Sequence, residues 1–481
     1  MATPIPINQC EFTLAEIVEA ARGTLVRGTS SGGARKICGV SIDTRSIEPG
    51  AIFVALQGAA SDGHDYIPQA AARGAVAAIV ATGHHHPALD CIEVDDTLTA
   101  LGRLARCHLA RTRASRALPL IAIGGAVGKT TTKELTAAVV RALFGATLAT
   151  PGNLNNLIGV PMTIFTLAGE HRAAVLECGT NTRGEIPKLA QIVEPDVAMV
   201  LNVDLEHSEG LGTLDDIADE EAALFSTATR CAVASADEPM VLSRIPKHLR
   251  QIRFGKSANA HVRLVSRSAG ARSRIRVELA RDIVAAGCEP VIETEIALLG
   301  EAAALNCTAA IAGVAAMRAA PLESRELAAI GDALASVQPV AGRLAGSSIN
   351  GIFVIDDTYN SNPRSIRAAL AAAREVADGL RARLVIAMGD MLELGEQSAA
   401  AHQDAIRDVM LARPAAFVAV GPEMNSARAV VSRDANATDI LTAPDSVAAA
   451  KTVSELVRPG DVLLVKGSRG VAMERVIERL A

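Results

Sequence analysis

Residues 124–134 read GGAVGKTTTKE, a glycine-rich turn that runs into Lys129 and three threonines. The strict phosphate-loop pattern G-x-x-x-x-G-K-[ST] needs a glycine where Ile123 stands, so the stretch fails that test by itself. Its flanks favour phosphate binding, because the apolar run LPLIAI precedes it and the helical pattern TTKELTAAVVRALF follows it. A strand, a glycine turn and a helix N-terminus in this order can surround an anion with backbone N–H groups. We therefore predict a nucleotide site, with Lys129 reaching the phosphates and the Thr130 hydroxyl binding Mg²⁺.

The composition excludes several functional classes. The net charge is −6 and aromatic residues make up 2% of the chain, so neither a basic surface nor a stacking platform for nucleic acid is expected. The N-terminus lacks a basic start followed by an apolar run, and no stretch of eighteen residues is apolar throughout. Eight cysteines lie scattered without CxxC spacing, as in a reduced protein. We expect a cytoplasmic protein that neither inserts into membranes nor binds nucleic acid.

Short apolar runs alternate with helical stretches on both sides of the phosphate loop, which indicates an α/β fold. At roughly 150 residues per domain, 481 residues suggest three domains. We place them at 1–115, a small α/β domain; 116–341, a doubly wound parallel sheet that carries the phosphate loop; and 342–481, a smaller Rossmann-like domain. The runs LPLIAI, AAVLE, DVAMVLN and CAVAS should be the parallel strands of the central sheet, with helices on both faces.

Polar residues follow several of these strands. Glu177 ends AAVLE, and His207 ends DVAMVLNVDLEH. The carboxyl ends of adjacent parallel strands meet at one crevice, where this pair could hold Mg²⁺. Three further clusters are TPGNLNN (150–156), DDTYNSNP (356–363) and KGSR (466–469). Taken singly, each is as well explained by turns, helix caps or strand ends. Together they suggest binding sites.

The motifs as a set resemble the Mur ligases, and within them the branch that adds D-alanyl-D-alanine to UDP-MurNAc-tripeptide. The resemblance covers nearly the whole chain and rests on the following segments: GVSIDTRSIEPGAIFVALQG, DGHDYI, GKTTTKE, TPGNLNNLIGVP, ECGTNTRGEI, LNVDLEHSEGLGTL, DDTYNSNP, GDMLELG and VKGSR. It implies an ATP- and Mg²⁺-dependent, ADP-forming peptide ligase of peptidoglycan precursor synthesis. The reaction would pass through an acyl phosphate. We expect a monomer whose partners are these small-molecule substrates.

The resemblance also implies roles for individual residues. Catalysis would involve Lys129, Glu177, His207 and Glu221, and the metal would lie at Thr130, Glu177 and His207. ATP would contact the residues Gly125, Ala126, Val127, Gly128, Lys129, Thr130, Thr131, Asn306, Arg343 and Asp357. The UDP part of the substrate would lie at Asp43, Thr44 and Arg45. The peptide and the incoming dipeptide would lie at Asn153, Asn155, Asn156, Asn360, Asn362, Ser468 and Arg469.

The sequence departs from the family pattern around the nucleotide. Gly124, Ala126 and Val127 replace polar members of the loop, and Ala302 and Ala303 replace a His and an Asn, so we expect altered ATP binding. Glu221 stands where relatives carry a carbamylated lysine. It is either a metal-site carboxylate or part of a solvated acidic helix face. Two alternatives to the ligase therefore remain: a diverged relative that joins a different acid and amine, and a non-catalytic protein that keeps the nucleotide-sugar surface.

Overall fold

A computed structural model describes residues 3–26, 28, 36–58, 61–205, 208–270, 272–430 and 439–481. A five-stranded, a nine-stranded and a six-stranded sheet follow one another along the chain, and a two-stranded ladder lies near the N-terminus. Most ladders within the three larger sheets are parallel. The α/β fold class expected from the alternating pattern is confirmed.

The first segment forms the smallest of the three larger sheets. Its strands are β1 (Glu11–Thr13), β2 (Thr24–Val26), β3 (Lys36–Cys38), β4 (Val40–Ser41), β5 (Ile52–Val54), β6 (Ala77–Ala81) and β7 (Asp90–Val94), and its helices are α1 (Leu14–Ala21), α2 (Ile67–Ala72) and α3 (Thr97–Ser115). The sheet order is β2-β7-β6-β5-β4, while β1 pairs with β3. The long helix α3 leads into the central segment.

The central segment carries the nine-stranded sheet. Its strands are β8 (Leu120–Gly124), β9 (Thr147–Ala149), β10 (Ala173–Glu177), β11 (Val197–Val200), β12 (Cys231–Ser235), β13 (Arg250–Gly255), β14 (Val262–Arg267), β15 (Ser273–Leu279) and β16 (Val291–Ile296). Its helices are α4 (Lys129–Phe144), α5 (Gly159–Ile164), α6 (Glu185–Val193), α7 (Ser208–Leu211), α8 (Leu214–Ala222), α9 (Pro239–Leu242), α10 (Gly300–Met317) and α11 (Ser324–Ser336). The order β16-β15-β14-β13-β12-β11-β8-β10-β9 places β8 between β10 and β11. The chain changes direction across the sheet at β8, which is where doubly wound folds bind ligands.

The four predicted strands of the central sheet are parallel, and one edge of the sheet, for which no direction was predicted, is antiparallel. Strands β14, β15 and β16 pair antiparallel. Only a few residues connect β14 to β15, and a parallel crossover needs a dozen or more. Residues along β15 alternate between buried and more exposed, as in a sheet whose other face is open to solvent.

The third segment forms the six-stranded sheet. Its strands are β17 (Ala345–Ile349), β18 (Ile352–Asp357), β19 (Leu384–Gly389), β20 (Ala416–Val420), β21 (Asp439–Ala443) and β22 (Val462–Lys466), and its helices are α12 (Pro363–Leu380), α13 (Ser398–Leu411), α14 (Pro422–Val430), α15 (Ser446–Leu456) and α16 (Glu474–Leu480). The order is β17-β18-β22-β19-β20-β21. Strand β17 is antiparallel to β18 because Asn350 and Gly351, both at positive φ, form a tight hairpin turn between them.

Helix α10 links the central core to the third segment. It is long and apolar enough, by length and composition, to cross a bilayer, but 78% of it is buried in the fold. Its first residue, Gly300, approaches Ala372 of α12: a β-carbon built on Gly300 would lie 2.8 Å from the methyl group of Ala372. The two helices thus bring the second and third segments together.

Candidate functional site

A cleft of about 480 Å³ lies where the carboxyl ends of the central strands face the third segment. It brings together most of the residues that the sequence singled out. They are Ala126, Val127, Gly128, Lys129, Thr130, Thr131, Asn153, Asn155, Asn156, Glu177, Asn306, Arg343, Asp357, Asn360, Asn362, Ser468 and Arg469. Residues that lie 343 positions apart in sequence therefore share one cavity.

The remaining sequence-selected residues lie elsewhere. Asp43, Thr44 and Arg45 do not line the cleft: Arg45 pairs with Asp43 at 2.7 Å, and Thr44 donates a hydrogen bond to Gln69. Gly125, within the phosphate loop, and Glu221, which accepts the Gly125 N–H from behind the loop, do not line the cleft. His207 lies outside the described residues.

The phosphate loop joins β8 to α4 through two glycines with positive φ, Gly125 at 118° and Gly128 at 91°. L side chains rarely adopt these angles. A β-carbon at Gly128 would also lie 2.9 Å from the Asn306 side-chain oxygen, so that side chain would have to shift. The first intrahelical hydrogen bond of α4 runs from Thr132 N–H to Gly128 C=O, so the N–H groups of the first turn precede the helical ladder. This turn lines the cleft and is suited to bind an anion.

The outer side of the loop is held by strand β11. Asn202, just beyond that strand, accepts a hydrogen bond from Val127 N–H and donates one to Val127 C=O, both at 2.8 Å. Its backbone carbonyl accepts from Ala126 N–H at 3.0 Å. Asn202 therefore holds the backbone of Ala126 and Val127, two of the three loop positions that depart from the family pattern.

Lys129 bends back over the loop that precedes it. Its ammonium group donates to the carbonyl of Gly125 at 2.5 Å and to that of Ala126 at 3.2 Å. Both carbonyls belong to the phosphate loop, so the charge already lies beside the predicted phosphate position. Contact of Lys129 with phosphate stays a prediction.

Glu177 is a buried carboxyl group at the cleft, with 1% of its surface exposed. One oxygen accepts from the Thr130 hydroxyl at 3.0 Å and from the Asn155 amide at 2.8 Å. Within the described residues the other oxygen, Oε2, is buried without a hydrogen-bond partner. A hydroxyl and a carboxyl with an unused buried oxygen are hard ligands of the kind Mg²⁺ prefers, so these residues fit the ion. No group of three or more His, Cys, Asp or Glu suited to a metal occurs among the described residues.

The asparagine loop is tied into the fold. Asn156 accepts from Gly159 N–H at 2.8 Å at the start of α5, and Asn153 accepts from the Thr3 hydroxyl at 2.7 Å. These bonds occupy the amide oxygens of both side chains. The amide NH₂ groups remain as donors along the cleft, suited to carboxylate or peptide oxygens.

The wall from the third segment is built on a buried ion pair. The Lys466 ammonium lies 2.6 Å from an Asp357 oxygen and also donates to the Asn360 carbonyl at 2.9 Å. Burial raises the pKa of Asp357 above its ordinary value, although Lys466 opposes the shift. The Arg343 guanidinium lies 3.9 Å from the centre of the Tyr359 ring, a cation–π contact inside the cleft.

Two other predicted contact residues also have structural roles. Asn362 caps helix α12, since its side chain accepts from Ser365 N–H at 2.8 Å. The Ser468 hydroxyl accepts from Leu392 N–H at 2.9 Å. The cap explanation offered by the sequence therefore holds for Asn362, whereas Ser468 joins two distant parts of the chain. Both residues still line the cleft.

Sequence reasoning missed Asn202, Tyr359 and Lys466 as site residues. Each stands within or next to a segment that had been singled out: Asn202 ends DVAMVLN, Tyr359 belongs to DDTYNSNP and Lys466 begins KGSR. The available signal was therefore the polar residue at the strand end. Only the fold could show that Lys466 pairs with Asp357.

Comparison with known proteins identifies relatives for every segment. Residues 36–108 match the model "Mur ligase family, catalytic domain", 123–314 match "Mur ligase middle domain", and 342–469 match "Mur ligase, glutamate ligase domain". The UDP-N-acetylmuramoyl-tripeptide--D-alanyl-D-alanine ligase of Treponema pallidum is 33% identical over 96% of this chain and 97% of the relative. That of Escherichia coli is 32% identical over 97% and 98%.

Solved structures give the same result. MurF from Acinetobacter baumannii superposes with a TM-score of 0.85 at 27% identity, covering 98% of this chain and 99% of that one. MurF ligase from Thermotoga maritima in complex with ADP superposes with a TM-score of 0.77 at 25% identity, covering 92% and 96%. These similarities extend over the whole arrangement of three sheets.

Proposed function

The chain belongs to the Mur ligase family, and we propose that it is an ATP-dependent ligase that joins D-alanyl-D-alanine to UDP-MurNAc-tripeptide. One observation carries the proposal. One cleft of about 480 Å³ is lined by the phosphate loop, by a buried hydroxyl–carboxyl pair, and by three asparagine- or serine-bearing clusters from two segments. Residues suited to a nucleotide and residues suited to a peptide thus face each other, as an ATP-driven ligation requires.

The phosphate loop and the first turn of α4 would hold the triphosphate. In this proposal Lys129 exchanges the carbonyls of Gly125 and Ala126 for the terminal phosphate, a movement of the side-chain end alone. Thr130 and Glu177 would hold Mg²⁺, which when bound offsets negative charge on the phosphates. Asn155 keeps Glu177 in place through its amide hydrogen bond.

The chemistry overcomes the poor reactivity of a carboxylate. The terminal carboxylate oxygen of the tripeptide attacks the γ-phosphorus of ATP, and ADP leaves with an acyl phosphate formed. The amine of D-alanyl-D-alanine then attacks the acyl carbon, a proton is lost from nitrogen, and phosphate leaves as the amide forms. Asn153 and Asn156 would donate to oxygens of the tripeptide, while Asn360 and Arg469 would face the dipeptide. The wall from the third segment would exclude water that hydrolyses the acyl phosphate.

The UDP part would bind outside this cleft, in the first segment. We assign Asp43, Thr44 and Arg45 to it because their short loop carries a charged pair and a hydroxyl. The Arg45 side chain is 87% exposed, so its guanidinium would be accessible to a diphosphate if it exchanged its pairing with Asp43. Arg45→Ala should raise the KM for the nucleotide-linked tripeptide and leave the KM for ATP unchanged.

Omission of one substrate at a time tests the proposed function. Purified protein is given ATP and Mg²⁺ with both acceptors, with each acceptor alone and with neither, and phosphate release is followed. Release that needs both acceptors supports the ligase. No release, with UDP-MurNAc-tripeptide still bound, contradicts it; the affinity for ATP then separates a diverged ligase from a non-catalytic binding protein.

A further inference from the structure

We propose that Glu221 is a positioning residue for the phosphate loop and that it forms a coupled pair with Gly124. The inference concerns how the loop is held for the nucleotide, and it rests on the proposed function for its effect on catalysis. A carboxyl oxygen of Glu221 accepts the Gly125 N–H at 2.6 Å from behind the loop. Glu221 does not line the cleft.

The position of Glu221 is set by its helix. Helix α8 begins at a capping box in which the Thr213 hydroxyl accepts from Asp216 N–H. Its last turn carries two adjacent buried acids, so the solvated acidic face considered from the sequence is wrong for both. Glu220 accepts from the N–H groups of Gly184 and Ile186, each at 2.8 Å. Glu221, with 0% of its surface exposed, reaches the phosphate loop instead.

The space that Glu221 fills exists because residue 124 has no side chain. Gly124 ends strand β8 and is paired with Val200 of β11 in regular strand geometry. Positive φ therefore does not explain this glycine. A β-carbon at 124 would lie 2.8 Å from the Glu221 oxygen and 3.2 Å from the Leu224 side chain. The carboxyl group and a side chain at 124 cannot both occupy this place.

The hydrogen bond acts on the residue that shapes the loop. Gly125 has φ of 118°, and its carbonyl accepts from Lys129. Holding its N–H fixes the peptide plane from which the loop turns toward the first turn of α4. The bond to Glu221 therefore sets where the N–H groups and Lys129 meet the phosphates.

Three variants and a control test the pair. Glu221→Gln keeps an oxygen that can accept the Gly125 N–H, whereas Glu221→Ala removes it. Gly124→Ala adds the excluded methyl group, and the double variant G124A/E221A provides room for it. Asp219→Ala is the matched control, an acid on the same helix whose side chain is 64% exposed. The readouts are the Kd for ADP by calorimetry, KM and kcat for ATP, and amide hydrogen exchange of the segment 120–128.

The expected pattern has three parts. E221A and G124A each weaken ADP binding at least tenfold and speed exchange of 120–128, while E221Q and D219A stay within threefold of wild type. The double variant binds ADP no more weakly than E221A alone, which shows that the two changes are not independent. The KM for ATP rises more than kcat falls.

Three results would overturn the proposal. If E221Q is as damaged as E221A and both change the Mg²⁺ requirement, Glu221 is a metal ligand. If the effects of G124A and E221A multiply in the double variant, the two positions are not coupled. If E221A lowers thermal stability without altering ADP binding or exchange, its role is structural only. A wild-type protein that binds ADP but ligates nothing would contradict the proposed function. The ADP-binding and hydrogen-exchange data would still test the role of Glu221 and Gly124.

Discussion

Asn202→Ala should weaken ATP binding without touching the nucleotide directly. The change removes the two side-chain hydrogen bonds to Val127, each 2.8 Å long, and keeps the backbone bond between Asn202 C=O and Ala126 N–H. A net hydrogen bond contributes about 0.5–1.5 kcal/mol, so the pair contributes about 1–3 kcal/mol to the order of the loop. If binding must restore that order, the affinity for ATP falls about 5- to 150-fold, since 1.4 kcal/mol is tenfold.

Calorimetry with ADP and steady-state kinetics with varied ATP would measure the effect of this change. We expect the KM for UDP-MurNAc-tripeptide to stay within twofold of wild type, because Asn202 contacts the loop and not the asparagine cluster at 150–156. Asn202→Asp should be worse than Asn202→Ala, since it loses the donor to Val127 C=O and places a negative charge beside the phosphates. Unchanged ADP affinity in both variants would refute the claim that Asn202 holds the loop.

Three further predictions concern stability and domain contact. Burial lowers the pKa of His108 from 6.5 to about 4. As the pH falls, His108 is therefore protonated in the unfolded chain at a higher pH than in the folded protein. The free energy of unfolding should therefore decrease by about 3 kcal/mol between pH 6.5 and pH 4, at about 1.4 kcal/mol per pH unit. Urea titrations should show this loss in wild type and a smaller one in His108→Leu; equal losses would contradict it. Lys466→Met leaves Asp357 buried without its cation and should lower the free energy of unfolding by about 3–5 kcal/mol. The double variant K466M/D357N should recover part of this loss. A double variant as unstable as K466M would contradict the prediction. Arg267→Ala removes a 2.6 Å ion pair to Glu375 that joins β14 to α12. Small-angle X-ray scattering should then show a larger radius of gyration, and the charge-swapped variant R267E/E375R should restore the wild-type radius. An unchanged radius in R267A would show that other contacts hold the two segments together.

Much of the site followed from the sequence because polar residues stood at strand ends. Glu177 closes the strand AAVLE, and the parallel register of β10 and β8 places it beside the loop that follows Gly124. The hydroxyl of Thr130 then bonds to it across the crevice. Chain direction and strand adjacency were enough to predict this meeting.

Other features needed three dimensions. The sequence offered two roles for Glu221, yet neither pattern nor spacing could show its bond to Gly125 N–H, 96 positions away. The antiparallel edge was missed because β14, β15 and β16 follow the parallel strands without a compositional break. Asn362 and Ser468 looked like ligand contacts, and the structure shows that they also hold backbone N–H groups.

The most direct test of the ligase is the product itself. Wild-type protein and the Glu177→Ala variant are incubated with ATP, Mg²⁺, UDP-MurNAc-tripeptide and D-alanyl-D-alanine. The mass of the nucleotide-linked peptide is then measured by mass spectrometry. We predict that wild type converts the tripeptide to a species heavier by one dipeptide less one water, with one ADP formed per product. The Glu177→Ala variant should form at least a hundredfold less of this product. An unchanged tripeptide in the wild-type reaction, with all substrates present and ADP binding intact, would contradict the account.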